Sequence, residues 1–130
     1  MLNLEIDWKK VTVVFMKEEV SAEIRPLSTK AFNLLLPYVS DSDAFTEKEN
    51  ESDEEKQKRF LKASSRMAEL QWLGKDIFPT HLRNIEGITV NNKPLTFEQL
   101  ANEVSLAPLA SAFLTHMMSI TQIDETSEKN

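Results

Sequence analysis

The sequence predicts an α+β fold: a single domain over residues 1–130, mainly α-helical, with an N-terminal β-hairpin. Three observations predict it. Residues 11–16 (VTVVFM) and 20–25 (VSAEIR) are rich in β-branched side chains. The second alternates strictly, with Val20, Ala22 and Ile24 on one face and Ser21, Glu23 and Arg25 on the other. Downstream, apolar residues recur at steps of three and four behind recognisable helix caps. Finally, 130 residues with 41% hydrophobic content suffice for one core and not for two.

The hairpin is expected over about 4–27, with LEIDW extending its first strand and Pro26 ending its second. The intervening KEE holds neither glycine nor asparagine, which argues against the favoured two-residue turns. Ser28 or Thr29 then caps a helix over 28–39, with Phe32, Leu35, Leu36 and Val39 on its apolar face and Pro37 limiting or kinking it. Between 40 and 56, eight carboxylates face only Lys48 and Lys56, so 40–52 reads as a mobile, solvated acidic loop.

Ser52, with Glu55 three residues on, signals the start of a helix over 53–73. Its Phe60, Ala63, Met67, Leu70 and Leu73 share one face, and Gly74 is placed to end it in a left-handed conformation. Phe78, Leu82 and Ile85 fit a short helix over 79–86, closed by Gly87. Asn91-Asn92 tolerate positive φ and predict a small turn between ITV and KPL. Thr96 and Gln99 form a capping box for a helix over 97–104, with Leu95 and Leu100 spaced as a hydrophobic staple. Ser105 is expected to cap the last helix, over 106–122, whose apolar face holds Leu106, Leu109, Ala110, Phe113, Met117 and Ile120. Residues 124–130 form a polar tail.

Composition limits the function. A net charge of −6 repels phosphate backbones. Lys56, Lys58, Arg59 and Lys62 cluster, but acidic residues lie immediately before them. Nucleic-acid binding is therefore disfavoured, and a basic partner is the more natural one. No run approaches the ~20 apolar residues of a membrane helix, and MLNLEIDWKK lacks the apolar centre of a signal peptide, so a cytosolic protein is expected. With no cysteine, disulfides, thiolate metal sites and cysteine nucleophiles are excluded.

The stretch HLRNIEGITVNNKPLTFEQL, from position 81, concentrates polar groups. His81 with Glu86 has the character of a base and its partner, yet nothing near them announces a pocket. An exposed histidine beside a helix-terminal glutamate is the simpler reading, and the whole stretch reads as a joint between helices. His116 is read as structural or partner-facing. The acidic run at 41–56 lacks the glycine of a calcium loop, and no metalloprotease, nucleophile-elbow or phosphate-loop motif occurs. No catalytic, cofactor or metal residue is assigned. The candidate partner-binding residues are Leu114, Met117, Met118 and Ile120. Neighbours on a helix point about 100° apart, so one of Met117 and Met118 meets the core while the other, beside Leu114, offers an adaptable apolar patch. A helix covered on two sides within its own domain is the alternative.

Three segments in order resemble the tail assembly chaperones of long, flexible-tailed bacteriophages. Arg25-Pro26-Leu27-Ser28 leads from the hairpin into a helix. Ile85 to Leu100 follows the pattern I-E-G-hydrophobic-x-hydrophobic, polar turn, K-P-L-T, helix. An alanine- and leucine-rich helix then precedes a polar tail ending in Lys129-Asn130. The resemblance implies a non-enzymatic protein of the infected host cytoplasm, absent from the mature virion. It implies binding to the tape measure protein, which it keeps soluble, and recruitment of tail tube subunits. It also implies self-association and a longer, frameshifted form of the same chain. A small acidic adaptor, or a neck or tail-completion protein retained in the virion, is the alternative.

Overall fold

The computed structural model describes residues 1, 7–40 and 50–128, with backbone alone at 39–40 and 122–128. The α+β architecture is as the sequence predicts. Strands β1 (Lys9–Phe15) and β2 (Glu18–Ile24) pair antiparallel, from Lys9 opposite Ile24 to Phe15 opposite Glu18. Val13, Val20, Ala22 and Ile24 face the core. That shared face fixes the register, because a one-residue slip would turn the whole set outward. The register leaves only Met16 and Lys17 for the turn, and both take left-handed φ, 52° and 67°. The turn is thus of the two-residue kind that its composition argued against.

A larger correction concerns residues 79–86. Only Phe78–His81 is helical (α3); Leu82–Glu86 is a strand, β3, that adds to β2 and gives the order β1-β2-β3. The apolar spacing misleads because β3 is bulged. Between the pairs Ser21–Glu86 and Glu23–Arg83 the third strand carries an extra residue, and Asn84 sits at φ 54°. Leu82 and Ile85, three apart, both meet the core as they would on a helix. Asparagine is suited to this left-handed position, and its side-chain amide donates to the Glu23 carboxylate. Trp8 closes this end of the sheet, with the Arg25 and Arg83 guanidinium carbons 5.2 and 4.1 Å from its ring centroid.

Helix α1 (Thr29–Ser40) is capped by Ser28, whose Oγ accepts from the Ala31 amide at 3.2 Å. It continues through Pro37, whose carbonyl accepts from Arg66 Nη2 at 2.8 Å. Leu35 is buried, whereas Leu36 is exposed rather than sharing its face. Of the expected acidic loop, residues 41–49 lie outside the described residues. Glu51 departs from the solvated reading, because its side chain is nearly enclosed and pairs with Arg59 at 3.0 Å.

Helix α2 (Asp53–Leu73) begins at Ser52, which accepts from the Glu55 amide at 3.1 Å. Gly74 does not end it in a left-handed conformation: its φ is −69° and it opens a 3-10 turn, Gly74–Asp76. Glycine is needed there for space, since a Cβ would sit 2.7 Å from the Phe78 ring. Strands β4 (Thr89–Val90) and β5 (Lys93–Pro94) form the small hairpin expected round Asn91-Asn92, at φ 54° and 65°.

The capping box of α4 (Phe97–Asn102) is present in both directions, with Thr96 Oγ1 accepting from Gln99 and Gln99 Oε1 from Thr96, at 3.1 and 3.0 Å. A 3-10 turn, Val104–Leu106, precedes α5 (Ala107–Glu128), so Ser105 lies within that turn and is not the cap. The backbone stays helical through the expected tail as far as Glu128; residues 107–128 contain no glycine, and their only proline sits in the first turn.

Helix α5 is the centre of the molecule. It packs against α1, α2 and α4 and against β1. Leu114, Met117 and Met118 are therefore buried with Phe113, and Ile120 is half-buried. These four residues form no surface patch: the helix is covered on two sides, so both members of the methionine pair enter the core. The window Val104–Thr121, with mean hydropathy 1.3 over 18 residues, is long and apolar enough to cross a membrane, contrary to the reading of the sequence. Here those apolar side chains make the core, while Thr115, His116 and Ser119 face outward.

Two buried polar contacts lock the layers together. Gln71 Nε2 donates to the Leu100 and Glu103 carbonyls at 2.8 and 2.6 Å, satisfying groups at the end of α4. Thr121 Oγ1 accepts from the Leu27 amide at 2.9 Å and donates to the Met117 carbonyl at 2.7 Å.

Candidate functional site

The site is built by three tight turns that meet at one end of the sheet. The β1–β2 turn supplies Phe15, Met16 and Glu18. The segment Gly87–Asn91 supplies the opposite wall, and Ser105 and Leu106 close the third side, with Val20 in the floor. The cleft between them has a volume of about 460 Å³. Its walls stand this close because of Gly87. At φ +92° it takes a conformation that L side chains rarely adopt, and a Cβ there would run into the Glu19 carbonyl oxygen.

The surface round the cleft is apolar. Met16 is 81% exposed, and Val104, next to Ser105 in the same 3-10 turn, is 75% exposed. Phe15, Ile88 and Val90 are half-buried below them. Among the described residues Glu18 is the titratable one that lines the cleft, and Ser105, Thr89 and Asn91 supply short polar groups. This arrangement suits an apolar side chain, or one face of an amphipathic segment, with a few hydrogen bonds to orient it. Methionine at the rim adapts to partners of different shape.

The residues of chemical interest in the sequence lie elsewhere. His81 Nδ1 lies 2.7 Å from Thr80 Oγ1 and 3.3 Å from the Ile77 carbonyl oxygen. Desolvation holds its pKa below the usual imidazole value; the Ile77 carbonyl opposes that shift and the Arg25 charge adds to it. Glu86 stands at the far end of β3, and the His81 ring is engaged by Thr80 and Ile77 instead, so the two are not seen as a base and partner. His116 is exposed on α5. Glu23 is held below the ordinary carboxylate value first by the Asn84 hydrogen bond, with Arg83 and Lys10 adding to it against the opposing effect of desolvation. Among the described residues, no group of three or more histidine, aspartate or glutamate side chains is placed to hold a metal ion.

The sequence contains one signal of the cleft, and it has a competing explanation. Gly87 and Asn91-Asn92 read as a helix end and a turn, yet the stretch beginning at His81 supplies one wall of the cleft. The Met16 and Val104 surfaces carry no such signal, because exposure at a turn depends on how distant segments meet.

A second apolar surface lies on α2, where Phe60, expected on the same inward face as Leu70, is 66% exposed, Leu61 59% and Trp72 49%. Trp72 is therefore not a core residue; its ring carries Lys75 Nζ at 3.9 Å from the centroid. No family model, curated protein or solved structure matches the chain.

Proposed function

We propose that this protein is a non-enzymatic tail assembly chaperone of a long-tailed bacteriophage, acting in the host cytoplasm on the tape measure protein. The observation that carries the reading is the apolar surface gathered round the cleft, exposed on a chain with net charge −6. A very long amphipathic helix aggregates through its apolar stripe. A small acidic domain that covers part of that stripe replaces apolar surface with charge and keeps the complex soluble. The three segments that resemble the family point to this client, and through it to recruitment of tail tube subunits.

The alternative occupant of the same surface is a virion partner, with the protein acting as an adaptor or as a neck or tail-completion protein. The two readings separate on particle composition. Mass spectrometry of purified particles and of the infected-cell lysate finds a chaperone in the lysate alone, whereas an adaptor appears in both. Sequencing beyond the codon for Asn130 gives a second test. A chaperone gene is followed by an overlapping frame, encoding the longer form, and then by a gene for a very long helical protein. An unrelated gene order would overturn the proposal.

A further inference from the structure

A second cavity, of about 310 Å³, lies beside β3 and shares no lining residue with the cleft. Strand β3 supplies Arg83, Asn84 and Ile85 to it, and the approach to α4 supplies Leu95 and Phe97. Ile85, Leu95 and Phe97 are each half-buried against the core, so the part of them left open gives the cavity an apolar lining.

Arg83 is the charged group among the lining residues, and its side chain is half exposed. Its guanidinium carbon lies 4.1 Å from the centroid of the Trp8 ring. Stacking of this kind occupies a face of the guanidinium and leaves its in-plane N–H groups for hydrogen bonds. Nη2 donates to Glu23 at 3.4 Å, a loose bond. The Asn84 amide also donates to Glu23, so that carboxylate is held in place and orients the arginine. Arg25 shares the Trp8 ring and, among the described residues, has no ion-pair partner. Lys10 stands opposite Glu23 on β1. Three cations thus gather round Glu23, on a chain whose net charge is −6. Glu86 and Glu98 are neighbours of Ile85 and Phe97 in sequence, and neither lines the cavity.

An apolar cavity with a guanidinium in its wall fits a ligand of matching build, an apolar side chain that carries a carboxylate. The volume is at the low end for ligand sites and suits one side chain better than a cofactor. Strand β3 is also the last of its sheet, where an extended chain can be added beside it. We infer that this cavity captures the C-terminal residue of a partner polypeptide, with its apolar side chain inside and its α-carboxylate on Arg83. The inference goes beyond the proposed function and does not depend on it.

The probe is a synthetic peptide, acetylated at its start, that alternates threonine and valine and ends in leucine with a free carboxylate. NMR of the full chain, with labelled methyl groups, follows Ile85 and Leu95 during titration. The peptide is expected to shift both signals. Amidating its C-terminus weakens binding by about tenfold or more, as loss of a hydrogen-bonded charge does. Arg83→Gln weakens the free-acid peptide to a similar extent. The amidated peptide leaves the protein unaltered, so the comparison holds even where Arg83→Gln disturbs the fold.

Unmoved Ile85 and Leu95 signals at millimolar peptide overturn the inference. So does equal affinity for the acid and the amide, or for the parent and a folded Arg83→Gln. Octanoate binding as tightly as the peptide overturns it too, since the ligand is then a free acid and not a chain end. None of these outcomes involves the cleft, so the proposed function is tested separately.

Discussion

At the scale of single residues, the cleft depends on Gly87. Alanine there would force a side chain into left-handed backbone, at about 1–3 kcal/mol, and push the turn off the Glu19 carbonyl. Gly87→Ala is expected to lower thermal stability and to open the cleft together; a variant melting with the parent would show that the contact is not needed. His81 predicts a pH dependence. Its folded pKa lies below its usual 6.5, so the unfolded chain binds the proton more readily. Its contribution is complete above that unfolded value and is lost as pH falls through the lower folded value. Denaturant midpoints measured across this range should decline toward acid in the parent and decline less in His81→Gln. Glu23 is also lowered, and its effect begins only below its ordinary value of 4.5, so the decline that starts near 6.5 is not its own.

At the scale of elements, the β1–β2 turn uses Met16 and Lys17 where Asn-Gly would be at ease. The double substitution Met16→Asn/Lys17→Gly should stabilise the protein by roughly 1 kcal/mol, because the left-handed conformation costs each ordinary residue about 1–2 kcal/mol and glycine's greater freedom in the unfolded chain offsets part of the gain. Unchanged stability would mean that the two side chains compensate through contacts with their surroundings. Helix α5 makes the opposite prediction. Leu114→Ala and Met118→Ala should each cost about 2–5 kcal/mol in chemical denaturation, as cavities in a core do. A loss of partner binding with full stability would restore them as surface residues.

These elements also show what the sequence could reveal. Val20, Ala22 and Ile24 declared their buried face because strand alternation is local. Thr96-Gln99 declared a helix start because both bonds of the box lie within four residues. The β3 strand was hidden by its bulge, which gives Leu82 and Ile85 a helical spacing. Leu114 and Met118 were misplaced because one-sided amphipathicity is the usual pattern, and only the packing of both β1 and α2 on α5 shows that more than one face is covered. The cleft was not legible as such: its three sides come from segments distant in sequence, from Phe15 to Leu106.

At the scale of the whole molecule, the core and the proposed binding surface occupy different regions. The core centres on α5, with Gln71 and Thr121 tying the layers together, while the exposed Met16, which lines the cleft, and Val104, next in sequence to its Ser105, contribute little to that core. Polar substitution at the rim should therefore spare the fold and reduce client capture. The direct test co-expresses this chain with the tape measure protein that the proposed function names as its client and measures the fraction of that client in the soluble supernatant. The account predicts a soluble client with the parent chain and an aggregated one with Met16→Asp/Val104→Asp, whose own melting temperature is unchanged. A client equally soluble with parent, variant or no partner at all would contradict it.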